Sequence, residues 1–388
     1  MKVGVPKEAN PADRRVALVP DTAAILKSKG LEVVVESGAG AGAEYLNEVY
    51  RGKGAEIAAT RDQVFATADI ILQINLLGTT PDMRGSDLAR LRKGQVLVGF
   101  AYPLENPRLM EELAARGVTT FALELVPRIA RAQSMDSLSS FATIAGYKAV
   151  LMAANVLPRM FPMMMTAAGT VSPARVFIIG AGVAGLQAIA MARRMGAVVH
   201  AYDIRPAVKQ EVESLGAKFV ELPLETKDTA GTGGYAKVMD EEFYRRQREL
   251  MKSVIAKSDV LITTAAVPGK KAPLLVTTDM IEAMPPGSVI VDLAAEQGGN
   301  CELTKSDQTV VHKGVMIIGP VNVPSTVAYH ASQMFSKNIS TFLLNMIKDG
   351  QLNLDLEDEI VRETLVTRDG AVVHPRVLEL LGKSGSGR

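Results

Sequence analysis

The feature that most restricts the fold is a strand-like run ending in three spaced glycines: Arg175-Val-Phe-Ile-Ile179, then Gly180-Ala-Gly182-Val-Ala-Gly185, then helical spacing through Met195. Glycine suits the first two positions because the turn is tight and a side chain would hold the backbone away from a pyrophosphate; the third lets helix and strand pack closely. The helix that follows offers unpaired N–H groups to phosphate oxygens. Alone, such a glycine pattern is weak, but the next strand, Val198–Tyr202, ends at Asp203, about 20 residues on, where a carboxylate accepts from an adenosine ribose. Acid at that place favours NAD(H), since a 2′-phosphate would be repelled. The competing reading makes Asp203 a helix cap and Arg205 a surface charge at a helix start.

The same rhythm runs along the chain. Val3–Val5, a helix over Thr22–Lys29 with Asp21 as its N-cap and Gly30 as its stop, and Val33–Val35 form a first βαβ unit. Further strands are expected at Asp69–Ile74, Val96–Phe100 and Thr119–Ala122, with a helix over Pro107–Arg116. After the glycine-rich unit come strands at Lys218–Val220, Val260–Thr263, Ser288–Asp292 and Val315–Ile318. A long helix is expected between Asp136 and Met160, and another from about Ser325 to Ile347 that returns the chain to its first domain. At 388 residues and 47% hydrophobic content the chain suits two domains better than one. The expected class is α/β: two Rossmann-like, doubly wound parallel-sheet domains joined by long helices, with a cofactor cleft between them. The domains are placed at 1–135 with 325–388, and at 136–324.

Composition excludes several functions. Lys and Arg total 43 against 42 Asp and Glu, so no general field draws nucleic acid or an anionic membrane. Cys301 is the sole cysteine, which rules out an internal disulfide framework and fits a reducing cytoplasm; His200, His312, His330 and His374 match no metal-ligand spacing, and no metal is expected. The start, MKVGVPKEAN, has no signal-peptide pattern. The most apolar stretch, Val150–Val171, is interrupted by Pro158, Arg159 and Pro162, short of the roughly 20 residues a spanning helix needs.

Three other stretches stand out. Pro127–Ser140 gathers polar groups at the expected domain junction, and reads either as a ligand site or as a solvated linker with Ser134 or Asp136 capping a helix. Gly231-Thr-Gly-Gly-Tyr-Ala-Lys237 reads either as a loop that closes over a cofactor or as a surface connection. The run Phe161-Pro-Met-Met-Met165 fits adaptable core or subunit packing better than cofactor contact.

Taken together, Arg128-Ile-Ala-Arg-Ala-Gln-Ser-Met-Asp136, Ala145-Gly-Tyr147, Phe161-Pro-Met-Met-Met-Thr-Ala-Ala-Gly-Thr170 and Gly233-Gly-Tyr-Ala-Lys237 resemble the NAD(H)-binding domain of proton-translocating transhydrogenase over nearly the whole chain. The family joins such a domain to a membrane-embedded proton channel and an NADP(H)-binding domain. Because this chain ends without a hydrophobic segment, it resembles the first, separately encoded piece of the alpha subunit. The resemblance implies a Re/Si-specific NAD(P)+ transhydrogenase, an oxidoreductase and translocase active only with its partner subunits, dimeric, and held peripherally on the cytoplasmic face of the inner membrane. It also implies direct hydride transfer, which needs aligned nicotinamides rather than a proton donor. By the same resemblance Arg128, Gln133, Asp136 and Ser139 surround the nicotinamide and its ribose, and Tyr235 tips a mobile loop; these five are the candidate catalytic set. Ile129, Ala130, Ser134 and Met135 join them around the cofactor, with Gly180, Gly182, Val183, Gly185, Asp203, Ile204, Arg205, Gly234, Gln247 and Ala266 along the dinucleotide.

Alanine dehydrogenase is the main alternative, sharing Gly4-Val-Pro-Lys-Glu8 and Arg15-Val-Ala-Leu18. That enzyme needs a lysine and a histidine in its first domain, whereas the corresponding strands here, Ile71–Asn75 and Leu97–Tyr102, contain neither; Glu296 stands in place of an aspartate. Without acid and base groups most of the expected acceleration is lost. A non-catalytic NAD(H) sensor is the third reading, and would have no use for Gln133 or Tyr235.

Overall fold

A computed structural model describes residues 1–77, 81–222, 239–266 and 271–383. The chain divides into two compact units, Met1–Phe141 with Pro324–Arg388, and Ala142–Val323. The first junction lies inside the helix Ser137–Val156, six residues beyond the position 135/136 read from sequence; the helix carries no turn signal at which a boundary could be read.

Unit 1 opens with β1 (Lys2–Val5), β2 (Glu32–Glu36), β3 (Glu56–Ala58), β4 (Ile70–Asn75), β5 (Val96–Phe100) and β6 (Thr119–Ala122), all paired in parallel. The helix after β1 spans Pro20–Ser28 with Val19 as N-cap, which corrects the expectation that Asp21 caps it. Pro20, whose missing N–H costs nothing in a first turn, starts the helix early and leaves Asp21 inside it, paired with Lys53 at 2.7 Å.

Unit 2 carries a small hairpin, β7 (Met164–Thr166) and β8 (Gly169–Val171), and then β9 (Arg175–Ile179), β10 (Val198–Tyr202), β11 (Lys218–Phe219), β12 (Val260–Thr263), β13 (Val289–Asp292), β14 (Gln308–His312) and β15 (Val315–Gly319). Among the described residues, the last seven of these strands form one sheet in the order β11-β10-β9-β12-β13-β15-β14, parallel except for β14. Both faces are covered, as a parallel sheet requires. Val176 and Ile178 of β9 pack with Ala188, Ile189 and Ala192 on one side, while Phe177 and Ile179 pack with Met251, Ile255 and Ile281 on the other. Each of the larger side chains among these, fully buried, contributes about 1.5–3 kcal/mol.

The chain re-enters unit 1 through the helix Ala328–Asn345, a short hairpin of β16 (Ile347–Lys348) and β17 (Gln351–Leu352), and β18 (Leu365–Arg368) and β19 (Ala371–Val372). β18 pairs antiparallel with β6, so the described residues of unit 1 form an eight-stranded sheet, β19-β18-β6-β5-β4-β1-β2-β3. Among the described residues no helix is long and apolar enough to cross a membrane.

Candidate functional site

In unit 2 the sheet reverses its winding between β9 and β12, which are direct neighbours (Ile179 opposite Thr263). Ligands of such sheets bind beyond the carboxyl ends of the strands at this switch. The glycine turn lies there. Gly180 has φ +98°, and Gly182 is the N-cap of the helix Val183–Arg194 without a side-chain cap, so that helix presents uncapped N–H groups. The turn and helix are in near contact: a Cβ on Gly185 would sit 1.8 Å from the carbonyl oxygen of Gly180. A Cβ on Gly182 would meet nothing within 4 Å, so space is open just where a phosphate would approach those amides.

Asp203, at the end of β10, is 8% exposed. Its Oδ2 accepts from Ala181 N at 2.8 Å and from Arg205 Nη2 at 2.7 Å, and its Oδ1 accepts from Arg205 N and Nε at 2.8 Å each. The carboxylate therefore braces the glycine turn. Arg205 is not the surface charge of the simpler reading; its guanidinium is held on Asp203, and that hydrogen bond raises its already high pKa. A ribose hydroxyl reaching Asp203 must share the carboxylate with, or displace, this guanidinium.

Gln247, on the helix Glu241–Ile255, is 1% exposed; its Nε2 donates to the Tyr202 hydroxyl at 3.0 Å, and its Oε1 has no partner among the described residues. Burial pushes the Tyr202 phenol up to about 12, so the phenol stays protonated. Val183 is exposed, while Ile204 and Ala266 are partly buried. Gly234 and Tyr235 lie outside the described residues. An orphan acceptor, open room at Gly182 and an uncapped helix start all suit a dinucleotide.

In unit 1 the segment Ala130–Met135 is a 3-10 turn leading to the helix Ser137–Val156. Asp136 is the helix cap: Oδ1 accepts from Ser139 N at 2.9 Å and Oδ2 from Ser139 Oγ at 2.6 Å. Arg128, Ala130, Gln133 and Ser134 are exposed and Ile129 is partly buried. Met135 is buried. Arg131, within the same motif, forms a two-pronged ion pair with Asp358 (2.5 and 2.9 Å), which depresses the Asp358 carboxyl well below its usual range.

Sequence reasoning missed a buried polar cluster in unit 1. Glu8 accepts from Ile74 N at 2.7 Å and Asn75 N at 3.1 Å; Arg15 binds Asp13 through Nε and Nη2 and lies over the Phe141 ring at 4.6 Å; the Tyr102 hydroxyl donates to Asn75 Oδ1 at 2.9 Å. Burial, reinforced by Asp13, raises the Glu8 carboxyl to about 7. Arg15 could have signalled a buried acid, but nothing in the spacing paired it with Asp13.

The family described as alanine dehydrogenase/PNT matches in both its domains, the N-terminal one over residues 4–145 and the C-terminal one over 149–375. Over 379 residues the chain is 50% identical to the first piece of the NAD(P) transhydrogenase subunit alpha of Rhodospirillum rubrum, covering 97% of this chain and 98% of that one. Among solved structures, a transhydrogenase from Sinorhizobium meliloti superposes with a TM-score of 0.85 at 45% identity, covering 96% of this chain and all (100%) of the other. An L-alanine dehydrogenase superposes with a TM-score of 0.80 at 26% identity, over 98% and 99% of the two chains. With both family domains matched and half of its residues shared with a relative across nearly full length, the chain belongs to the alanine dehydrogenase/PNT family, as an NAD(P) transhydrogenase alpha subunit.

Proposed function

We propose that this subunit binds NAD(H) and aligns it for direct hydride transfer to or from NADP(H) carried by a partner subunit, in an assembly whose membrane-embedded subunit couples the transfer to proton translocation. The observation that carries the NAD(H) reading is the open, uncapped glycine turn with Asp203 tied to its backbone through Ala181 N at 2.8 Å. NAD(H), when bound, supplies the nicotinamide C4 that carries the hydride.

The remaining work belongs to the chain. The turn amides of Gly182–Val183 and the helix start hold the pyrophosphate; Asp203 accepts from the adenosine ribose and disfavours a 2′-phosphate; Ile204, Ala266 and the orphan Oε1 of Gln247 complete that end. Arg128, Gln133, Ser134, Asp136 and Ser139 orient the nicotinamide and its ribose, with Ile129 and Ala130 contributing backbone. Asp136 and Ser139 act as one hydrogen-bonded unit, so the cap that starts the helix also fixes the two side chains. Gly234 and Tyr235 belong to the loop that excludes water. Such a site needs near-contact alignment and no acid or base, which agrees with the absence of histidine from the set.

A second copy of the chain is the proposed partner for the β7–β8 hairpin, where Met163 and Met165 are 58% and 80% exposed; an isolated two-stranded hairpin is marginal in water, and flexible methionines suit subunit packing. The proposed location is the cytoplasmic face of the inner membrane, through those partners.

The test is stopped-flow absorbance of hydride transfer from NADPH, held by a purified transhydrogenase NADP(H)-binding domain, to an acetylpyridine analogue of NAD+ on this chain, whose reduced form absorbs apart from NADPH, beside an alanine/pyruvate assay of the same preparation. Fast transfer only on mixing the two proteins is expected. Pyruvate-dependent oxidation of NADH by this chain alone would establish the dehydrogenase instead.

A further inference from the structure

Across the winding switch from the glycine turn, β12 runs into Thr264, Ala265 and Ala266. Thr264 still bonds the end of β9; no strand among the described residues pairs with Ala265, yet its backbone is held. Asn300, fully buried, accepts from Ala265 N through Oδ1 at 3.0 Å and donates through Nδ2 to Ala265 O at 2.8 Å and Pro273 O at 2.9 Å. One side-chain amide thus satisfies both backbone groups of Ala265, as a neighbouring strand would. The residue before it touches the turn: Thr264 Oγ1 donates to Gly180 O at 3.1 Å and Thr264 N to Ile179 O at 2.9 Å. The residue after it, Ala266, is one that the family resemblance sets beside the dinucleotide.

Asn300 is itself fixed from behind. Asp292, at the end of β13 and fully buried, accepts from Asn300 N at 2.8 Å, Cys301 N at 3.1 Å and Thr304 Oγ1 at 2.7 Å through Oδ2, and from Thr263 Oγ1 at 2.9 Å and Ala294 N at 3.0 Å through Oδ1. A buried carboxylate is tolerated only when its lone pairs are occupied, and these five donors hold it at a single place relative to β12, β13 and Asn300. We propose that Asn300, backed by Asp292, is a positioning residue for NAD(H), setting Thr264–Ala266 against the glycine turn at the spacing the dinucleotide needs. A site is held to productive geometry by residues whose own rotamers are locked in this way. The inference rests on the reading that the glycine turn binds NAD(H).

The experiment is titration of NADH fluorescence with Asn300→Ala, Thr264→Val and wild type, each also unfolded in urea so that affinities are compared at equal folded fraction. Met280→Ala, a core deletion in unit 2 (1% exposed) at a side chain that makes none of the relay's hydrogen bonds, gauges what lost stability alone does to affinity. Asn300→Ala is expected to weaken NADH binding by about tenfold or more and Thr264→Val by about fivefold, with Met280→Ala within twofold of wild type. If Asn300→Ala does not fold, Thr264→Val decides: it keeps the side-chain shape and loses only the bond to the turn. NADH affinity unchanged in both relay variants, or reduced as much by Met280→Ala, overturns the positioning role and leaves the NAD(H) reading standing. Failure of the wild type to bind NADH overturns both.

Discussion

Adding one carbon at Gly182 and at Gly185 separates the two reasons a phosphate turn needs glycine. In Gly185→Ala the new Cβ would lie 1.8 Å from the Gly180 carbonyl oxygen, against an ordinary contact of 3.4–4 Å, so helix and turn must part by more than an ångström. Both partners are backbone, and no side-chain rotation relieves the clash; overpacking of this kind costs roughly 1–3 kcal/mol of stability. The same displacement moves the helix N–H groups off the pyrophosphate, and loss of one hydrogen bond to a charged group, about 1.5–3 kcal/mol, is roughly a 10- to 150-fold rise in the NADH dissociation constant. In Gly182→Ala the new carbon meets nothing within 4 Å, and the backbone, at φ −78° and ψ −169°, accepts alanine. Stability should stay within about 0.5 kcal/mol, while NADH affinity still falls about tenfold, because the methyl group fills the approach to the amides. Calorimetric titration with NADH and urea unfolding of both variants are the assays. The reasoning fails if Gly182→Ala binds NADH like the wild type, or if Gly185→Ala loses stability but keeps its affinity.

Asp203→Ala should weaken NADH binding and also lower stability by roughly 1–3 kcal/mol, because Ala181 N and the Arg205 guanidinium lose their acceptor; binding that stays unchanged in a titration removes the ribose role. Gln133→Ala, on an exposed side chain, should leave NADH affinity nearly intact and slow hydride transfer in the reconstituted complex about tenfold or more, a normal stopped-flow rate being the contrary result. Glu8 predicts a pH dependence of stability: its carboxyl titrates at about 7 when folded, against 4.5 as its ordinary value, so between those values the folded chain keeps a proton that the unfolded chain has released. Stability therefore declines as pH rises through that window and is flat above it, by about 3 kcal/mol for this group. Glu124, partly buried and likewise raised to about 7, adds a decline of the same sign. Urea midpoints between pH 5 and pH 8 should thus drop less in Glu8→Gln than in the wild type, and an equal drop in both would refute the assignment.

What could be read in the sequence was what local chemistry dictates. The strand Arg175–Ile179, the glycine turn and the strand Val198–Tyr202 fall where the residue pattern places them, because a buried parallel strand and a tight turn each have a compositional signature. The 20-residue helix Ser137–Val156 was legible for the same reason: apolar spacing without a breaker until Pro158. What escaped depends on contacts between distant segments. β18 pairs with β6 across a gap of more than two hundred residues, joining Leu365 to Phe121, and no local pattern carries that partner. Asn300 and Ala265 meet only because β12 and β13 are neighbours in the sheet. Arg131 looked like part of a ligand motif, yet its guanidinium ties the turn to Asp358; a motif gathers side chains with different duties, and only geometry separates them.

The same distinction decides between the two enzymes of this family. Unit 1 has its own winding switch, between β1 and β4, and by fold alone it could hold a second ligand. That switch is already filled: the Glu8 carboxylate takes the amides of Ile74 and Asn75 at the end of β4, the position a bound anion would need. Arg15, the residue best suited to grip a substrate carboxylate, has its guanidinium on Asp13 and its face against Phe141. Between the strand ends stand an amide and a phenol bonded to each other, Asn75 and Tyr102, and Glu8, which titrates at about 7, has its oxygens on the two strand-end amides, where amine oxidation would need proton-transfer groups free to reach a substrate. To act as an amino-acid dehydrogenase the unit would have to break a buried ion pair, at a cost of several kcal/mol, and release Glu8 from the amides it holds. The hydride transfer between two nicotinamides proposed above asks for none of these groups, and a filled switch in unit 1 with an open one in unit 2 agrees with that proposal.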